Sequence, residues 1–295
     1  MRWLCVVVIA FVLVTHPAAA TETLTTAATC PAANRIADVA GSTETLAPGR
    51  YAVVDRHRSG EFVRLRTPRG DRWVPTDCSG TPKAQAALPF FDHVDEGPGD
   101  MQPPPPLLDA FDHAVLELCG TWGSTPDRAA FTALMNGHPD IAAAAGGLEA
   151  LSEAWFGADG FAHIFCGEPS SDNLAGFHYQ GRYLQAQRNG WASFTEACSV
   201  QERDGPIRSF GVQYRVPGGG TRTQCPKGFV HGQSARDLML AATKAWREAG
   251  GRHAACLAPV AGAPRGRAVV VMRNGALRTY YGDATPDLSL PECRR

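Results

Sequence analysis

The stretch "GRAVVVMRNGALRTYYG", residues 266–282, limits the fold more than any other. Two β-favouring runs flank Asn274-Gly275, the dipeptide suited to the positive φ angles of a two-residue hairpin turn. An antiparallel ladder is therefore expected near the C-terminus. Earlier segments are helical in rhythm. "LLDAFDHAVLELCGTW" places Leu107, Phe111, Val115 and Leu118 about 3.6 residues apart. "TPDRAAFTALMNG" predicts a helix capped by Thr125 and closed at Asn136-Gly137, and "GGLEALSEAWFG" predicts a third. "FAHIFCGE" alternates and predicts a strand. "GFHYQGRYLQAQRNG" predicts a helix closed by Gly190, "RSFGVQYRVPGGG" a strand, and "SARDLMLAATKAWREAGG" a helix opened by a Ser234/Asp237 capping box. Helices precede paired strands, so the class is α+β rather than a wound parallel sheet.

The chain divides before this region. Residues 1–20 read as a secretory signal peptide: Arg2, an apolar run Trp3–Val14, then a small-residue cleavage site with Ala18 and Ala20. That apolar run is shorter than the roughly 20 residues of a membrane span, so export to the periplasm or beyond is expected, with a retained anchor as the alternative. Residues 21–80 read as a small β-rich lobe. "TLAPGRYAVV" and "GEFVRLRTPRGDRWV" give strands around Pro-Gly and Pro68–Gly70 turns. The lobe resembles the Src-homology-three-like barrels attached to secreted bacterial enzymes; the plainer reading is a lobe packed on the main domain. A Cys30–Cys78 bridge would strengthen so small a unit. Residues 81–106, with "EGPGDMQPPPP", read as a proline-rich linker. Residues 107–295 form the main domain.

Outside the leader lie eight cysteines, an even number that fits disulfides in an oxidising compartment, with the pairing left open. No Cys-x-x-Cys pair is present, which argues against a structural zinc site. The net charge of −1 argues against coating nucleic acid by bulk electrostatics, though not against a local basic groove. No acid occurs from Ala249 to Gly282, where Arg252, Arg265, Arg267, Arg273 and Arg278 lie, nor from Gly205 to Arg236. Either is also what a solvated surface would show. Only three lysines occur, Lys83, Lys227 and Lys244, so arginine meets most cationic needs.

Two histidines, His163 and His178, carry the chemistry expected here. Their spacing is not the i, i+4 pair of a helical metal site. Even with Glu168 as a third ligand the set is thin, so no metal is assigned. As a strand residue and a first-turn helix residue, the two differ in setting. A helix N-terminus disfavours the imidazolium, which makes His178 the general base and His163 the general acid. Lys227, in "QCPKGFVHGQS", suits stabilisation of charge on phosphoryl oxygens, and Cys225 could pin its segment. Thr279 and Tyr281 fall on one face of the hairpin and could hold a ribose and stack on a base, although Thr and Tyr are common in any strand.

Taken in order, "FAHIFCGE", "GFH", "PKGF" and "LRTYYG" resemble the EndoU-type endoribonucleases over roughly residues 107–292. The resemblance implies an EndoU-like α+β fold, with a helical first part and then antiparallel sheets with interspersed helices. It implies cleavage of single-stranded RNA, often at uridine, leaving 2′,3′-cyclic phosphate ends. His178 would be the base, His163 the acid and Lys227 the phosphorane stabiliser. Thr279 and Tyr281 would be the nucleotide contacts. No cofactor is required for that chemistry; Mn2+ is implied as an activator of RNA binding or folding. Two positions depart from the family pattern. Ala162 stands where many relatives carry glutamate. His231 stands where some carry a small hydroxyl residue, with Ser234 further on, so His231 and Ser234 become the candidates for base contacts. The expected partner is single-stranded RNA, without a membrane partner. An inhibitor protein and the oligomeric state are not readable from this chain. The alternatives are a binding module on the same scaffold that does not cleave, and a metal-dependent hydrolase.

Overall fold

The computed structural model describes residues 22–26, 29–58, 61–78, 88–94, 97, 100–198, 201–250 and 254–294. The signal-peptide reading therefore lies outside the described residues. The N-terminal sheet runs in the order β1 (Thr23–Thr26), β2 (Gly49–Arg56), β3 (Phe62–Leu65) and β4 (Arg72–Pro75), all neighbours antiparallel. It has a small core of its own, with Leu24, Leu46, Tyr51, Val63, Leu65 and Val74 buried.

Helices α1 (Ala110–Cys119), α2 (Arg128–Asn136), α3 (Pro139–Ala145) and α4 (Leu148–Phe156) follow. The first helix starts later than its apolar rhythm suggests. Asp109 and Asp112 cap each other's backbone N–H groups, and Leu107 before them is 99% exposed. The cap of α2 is Asp127, which accepts from Ala130 N, not Thr125. Asp127, two residues past Thr125, is the better-placed acceptor for the first turn. Helix α3 was not read from the sequence at all.

Helix α5 (Gln180–Arg188) leads into a middle sheet. There β5 (Ala192–Thr195), β7 (Ile207–Arg215) and β8 (Thr221–Val230) pair antiparallel around β7, with β6 (Glu202–Asp204) pairing further along β7. After α6 (Ala235–Ala249) comes the sheet of β9 (Ala255–Pro259), β10 (Arg267–Arg273) and β11 (Ala276–Asp283). Asn274 and Gly275 have φ of 54° and 79°, as the hairpin turn requires. The α+β class, helices first and antiparallel sheets after, is what the structure shows. One core packs α1–α4 and α6 on the last sheet; a second packs α5 on the middle sheet.

Three further expectations change. "FAHIFCGE" is not a strand: Ala162–Cys166 is a π-helical turn. His178 lies outside α5, whose N-cap is Tyr179. The stretch 81–106 is not linker throughout. Phe90 and Phe91 are fully buried against Tyr183, Phe210 and Phe229, and Leu88 bridges to Phe194. Buried aromatic surface of this size holds the segment down despite the prolines beyond it.

Disulfides join Cys119 to Cys166, Cys198 to Cys225 and Cys256 to Cys293. They fit an oxidising compartment. The expected Cys30–Cys78 bridge is not among them; the Cys30 Sγ lies 3.9 Å from the Cys78 carbonyl oxygen. No helix among the described residues is long and apolar enough to cross a membrane.

Candidate active site

The two histidines meet because two short segments lie side by side. Phe177 N donates to His163 O at 2.8 Å, and His178 N donates to Ile164 O at 3.0 Å. The approach requires glycine at 176. Its φ is +63°, and a Cβ there would stand 1.9 Å from His163 O. Phe177 itself holds a φ of 73°, rare for a bulky residue, and is kept there by full burial and a ring stacked at 3.8 Å on Tyr183.

The π-helical turn is fixed at its end by Cys166, which is bonded to Cys119 at the end of α1. The buried Arg182 adds to this. Its Nε donates to Cys166 O, and its Nη1 and Nη2 donate to Gly120 O and Thr121 O. On the other side, the buried Asp112 carboxylate accepts from Tyr179 Oη and from Ala235 N, both at 2.7 Å. The residue after His178 is thus tied to α1 and to the start of α6.

The imidazole rings of His163 and His178 lie 5.7 Å apart between centroids, their planes tilted by 53°. Tyr281 stacks on His178 at 5.2 Å and 24°. Lys227 Nζ donates to Gly176 O at 3.0 Å, next to both histidine segments. Cys225, bonded to Cys198, anchors its strand two residues earlier. Thr279 is 9% exposed, and its Oγ1 has no protein hydrogen-bond partner; nor has His178 Nδ1. Glu168 receives a 2.6 Å hydrogen bond at Oε2 from His163 Nδ1. The same carboxylate accepts from Arg278 Nη2 at 2.8 Å and Nη1 at 3.3 Å.

Arg278 is the residue that reading the sequence missed. It is the extra residue of a β-bulge: Val271 pairs with Thr279 and Met272 with Leu277, leaving Arg278 unpaired. Strict alternation would set it simply opposite Thr279. Its place directly before Thr279 in an acid-free stretch was the one signal available. His231 and Ser234 are placed elsewhere. The His231 ring lines a cleft whose lining includes neither His163 nor His178. Ser234 caps α6, accepting from Asp237 N and donating to the Asp237 carboxylate.

The electrostatics separate the two rings. Burial above all, then Lys227 and His163, hold His178 well below the ordinary imidazole pKa, against a raising contact with the Gly228 backbone. His163 is also lowered by burial, but Glu168 raises it while Arg278 and Lys227 lower it. For Glu168, burial acts upward, yet the bonds to His163 and Arg278 leave it below its usual value. Burial brings Lys227 down to about 8, with Glu168 opposing. Among the described residues no group of three His, Cys, Asp or Glu side chains could hold a metal ion.

Neighbouring imidazoles, a lysine beside them and a stacked tyrosine define a site suited to proton transfer at a phosphoryl centre. Residues 157–284, which contain all of these groups, match the family model of the bacterial EndoU nuclease. Among solved structures, the chain is similar to the endoribonuclease Nsp15 of Middle East Respiratory Syndrome Coronavirus, with 10% identity, a TM-score of 0.39 and coverage of 76% of this chain and 56% of that one. It is also similar to XendoU, described as a splicing-independent snoRNA-processing endoribonuclease, with 11% identity, a TM-score of 0.35 and coverage of 60% and 70%. The chain thus spans little more than half the length of the Nsp15 chain. No curated protein sequence matches it.

Proposed function

We propose that this chain is an exported endoribonuclease that cleaves single-stranded RNA by attack of the ribose 2′-hydroxyl on its own 3′-phosphate. The observation that carries the reading is the pair of imidazoles 5.7 Å apart in unlike surroundings. His178, neutral because it is buried beside a cation, takes the 2′-hydroxyl proton. The 2′-oxygen bonds to phosphorus, the bond from phosphorus to the 5′-oxygen breaks, and His163 gives its proton to that leaving oxygen. The Glu168 carboxylate on its Nδ1 favours the charged ring that this step needs. Two neighbouring groups pushed to different proton affinities serve as acid and base. The products are a 2′,3′-cyclic phosphate and a 5′-hydroxyl.

Lys227 spends one N–H on Gly176 O and has two more for the non-bridging oxygens of the phosphorane. Thr279 Oγ1 is buried without a protein partner, and Tyr281 offers a ring face beside His178. These two would hold the nucleotide, with uridine as the expected base. Arg278 acts through Glu168 and is a positioning residue. The one carboxylate beside the histidines already serves His163 and Arg278, so the site does not fit a resident metal ion. An effect of Mn2+ would belong to RNA binding.

The test is cleavage of a mixed-sequence single-stranded RNA in EDTA and in Mn2+, with the ends mapped. Cyclic-phosphate ends in both conditions, enriched after uridine, are expected, and His178→Ala should lose about 10²–10⁴ in rate. RNA left intact in both conditions would point to a binding module. Ends bearing 5′-phosphates that vanish in EDTA would point to a metal-dependent hydrolase.

A further inference from the structure

We propose that Tyr214, with Arg222 beside it, is a positioning residue for the catalytic acid: the two grip the hairpin between the histidines so that its Glu168 meets His163. The proposal rests on the ribonuclease reading above, which gives His163 the role of acid.

A bulge in β8 builds the grip. Phe210 pairs with Lys227 and Val212 with Gln224, so β7 advances two residues where β8 advances three. The next pair on that face is Tyr214 with Arg222. In a regular strand residues 222 and 227 point to opposite faces; the extra residue brings Arg222 and Lys227 to the same one. From that face three donors reach the connection between His163 and His178. Tyr214 Oη donates to Ser170 O at 3.0 Å, Arg222 Nε to Ser171 O at 3.3 Å and Lys227 Nζ to Gly176 O at 3.0 Å. The Tyr214 ring is only 1% exposed, so its hydroxyl is a fixed point.

What is gripped is stiff. Glu168 pairs with Ala175 and Pro169 with Leu174. At the tip Ser170 closes a turn: its N and Oγ both donate to Asn173 O, and its Oγ accepts from Asp172 N and Asn173 N. Only Pro169 stands between this tip and Glu168. Its ring fixes φ and confines the residue before it to extended backbone. A hold on Ser170 O therefore reaches the Glu168 carboxylate with little slack, and that carboxylate takes the 2.6 Å bond from His163 Nδ1. Around the tip the charged groups are Arg222 and Asp172, which act on the Tyr214 phenol in opposite senses; burial raises that phenol above its ordinary value and keeps it a donor. Around His163 stand Glu168, Arg278, Lys227 and the His178 ring. Of the charged groups there, Glu168 alone raises the proton affinity of His163, and it lies on the gripped hairpin.

The experiment reads the acid with and without RNA. The ring signals of His163, assigned against His163→Gln, are titrated by NMR in the full chain, in Tyr214→Phe, in Arg222→Gln, and in Tyr214→Phe combined with Glu168→Gln. Tyr214→Phe removes one hydroxyl and keeps the buried ring. Arg222 is exposed, so Arg222→Gln leaves the core intact and carries the same test should Tyr214→Phe not fold. In Tyr214→Phe the ring of His163 should titrate about half a pH unit lower, a loss of about threefold in proton affinity. Arg222→Gln should give a smaller shift in the same direction. Beside Glu168→Gln, Tyr214→Phe should add no shift. On single-stranded RNA the alkaline limb of kcat/KM should move down with the titration, and KM should stay as it is, because Tyr214 does not touch substrate. A His163 titration that stays put in the folded variants would overturn the proposal and show that Arg278 alone places Glu168. An equal shift in the Glu168→Gln background would overturn it too, since Tyr214 would then reach the ring by another route. A chain whose His163 shifts as expected but that cuts no RNA would overturn the ribonuclease reading while the grip of Tyr214 on Glu168 stands.

Discussion

At His163 two charged neighbours pull the ring in opposite directions. Glu168 raises its proton affinity; Arg278, on the far side of the same carboxylate, lowers it, as does Lys227. Burial is the largest influence and, with Arg278 and Lys227, sets the ring below its ordinary value against Glu168; His178 is set lower still. A reaction that needs His178 neutral and His163 protonated then has a defined pH window. Its acid limb is the protonation of His178 and its alkaline limb the deprotonation of His163. Both lie below the free imidazole value of about 6.5, so kcat/KM should peak on the acid side of that pH. Lys227, at about 8, stays charged throughout the window. Glu168→Gln removes the group that raises His163, so the alkaline limb should move to lower pH. Arg278→Met removes a group that lowers it, so the limb should move up. A limb that stays put in both variants would mean that His163 is not the acid.

At the scale of the element, the π-helical turn decides the site, and a disulfide decides the turn. The Cys119–Cys166 bond spans 47 residues, and closing a loop of that size stabilises by about 4 kcal/mol in the chain-entropy view. Replacing both cysteines with serine should therefore lower the urea midpoint by an amount of that order. It should also cut activity, since His163 lies three residues from the bond; an unchanged midpoint would show that Arg182 alone holds the turn. This same turn shows how far the sequence could be read. "FAHIFCGE" is a short apolar run, and alternation over so few residues does not separate a strand from a buried helical segment. The hairpin at Asn274-Gly275 was legible because its turn chemistry is local. The bulge that aims Arg278 was not, because the reward for breaking the ladder is a contact with Glu168, 110 residues away in sequence. His163, His178, Lys227 and Tyr281 could be named from their types and order. Their meeting depends on Gly176 and Asp112, whose reasons are contacts that only the folded chain makes.

At the scale of the whole molecule, the N-terminal sheet has its own core, and the segment that follows it joins it to the rest. Asp92 pairs with Arg50 of that sheet at 3.6 Å, and His93 stacks on Tyr51 at 5.8 Å. Two residues before them, the chain is buried in the second core. There one side chain of α5 holds it: Gln187 Oε1 accepts from Phe90 N at 2.7 Å and Phe91 N at 3.0 Å, and its Nε2 donates to Phe91 O at 3.0 Å. The amide thus imitates a strand edge for the two residues that follow the Leu88 bridge to Phe194 of β5. Gln187→Leu keeps the bulk but leaves two donors and an acceptor unpaired next to buried rings. The cost is expected at about 3 kcal/mol, read as a fall in the urea midpoint. Amide exchange at Phe90 and Phe91 should accelerate by more than the global loss explains, because the damage is local to this anchor. Activity on RNA should fall less than the Cys119/Cys166 double variant does, since His178 is held from the other side by Ile164 O and Tyr281. Exchange at Phe90 and Phe91 that matches the rest of the core would show that burial of the rings holds the segment without Gln187. The junction between the lobes would then be a packing contact whose geometry the α5 amide does not set.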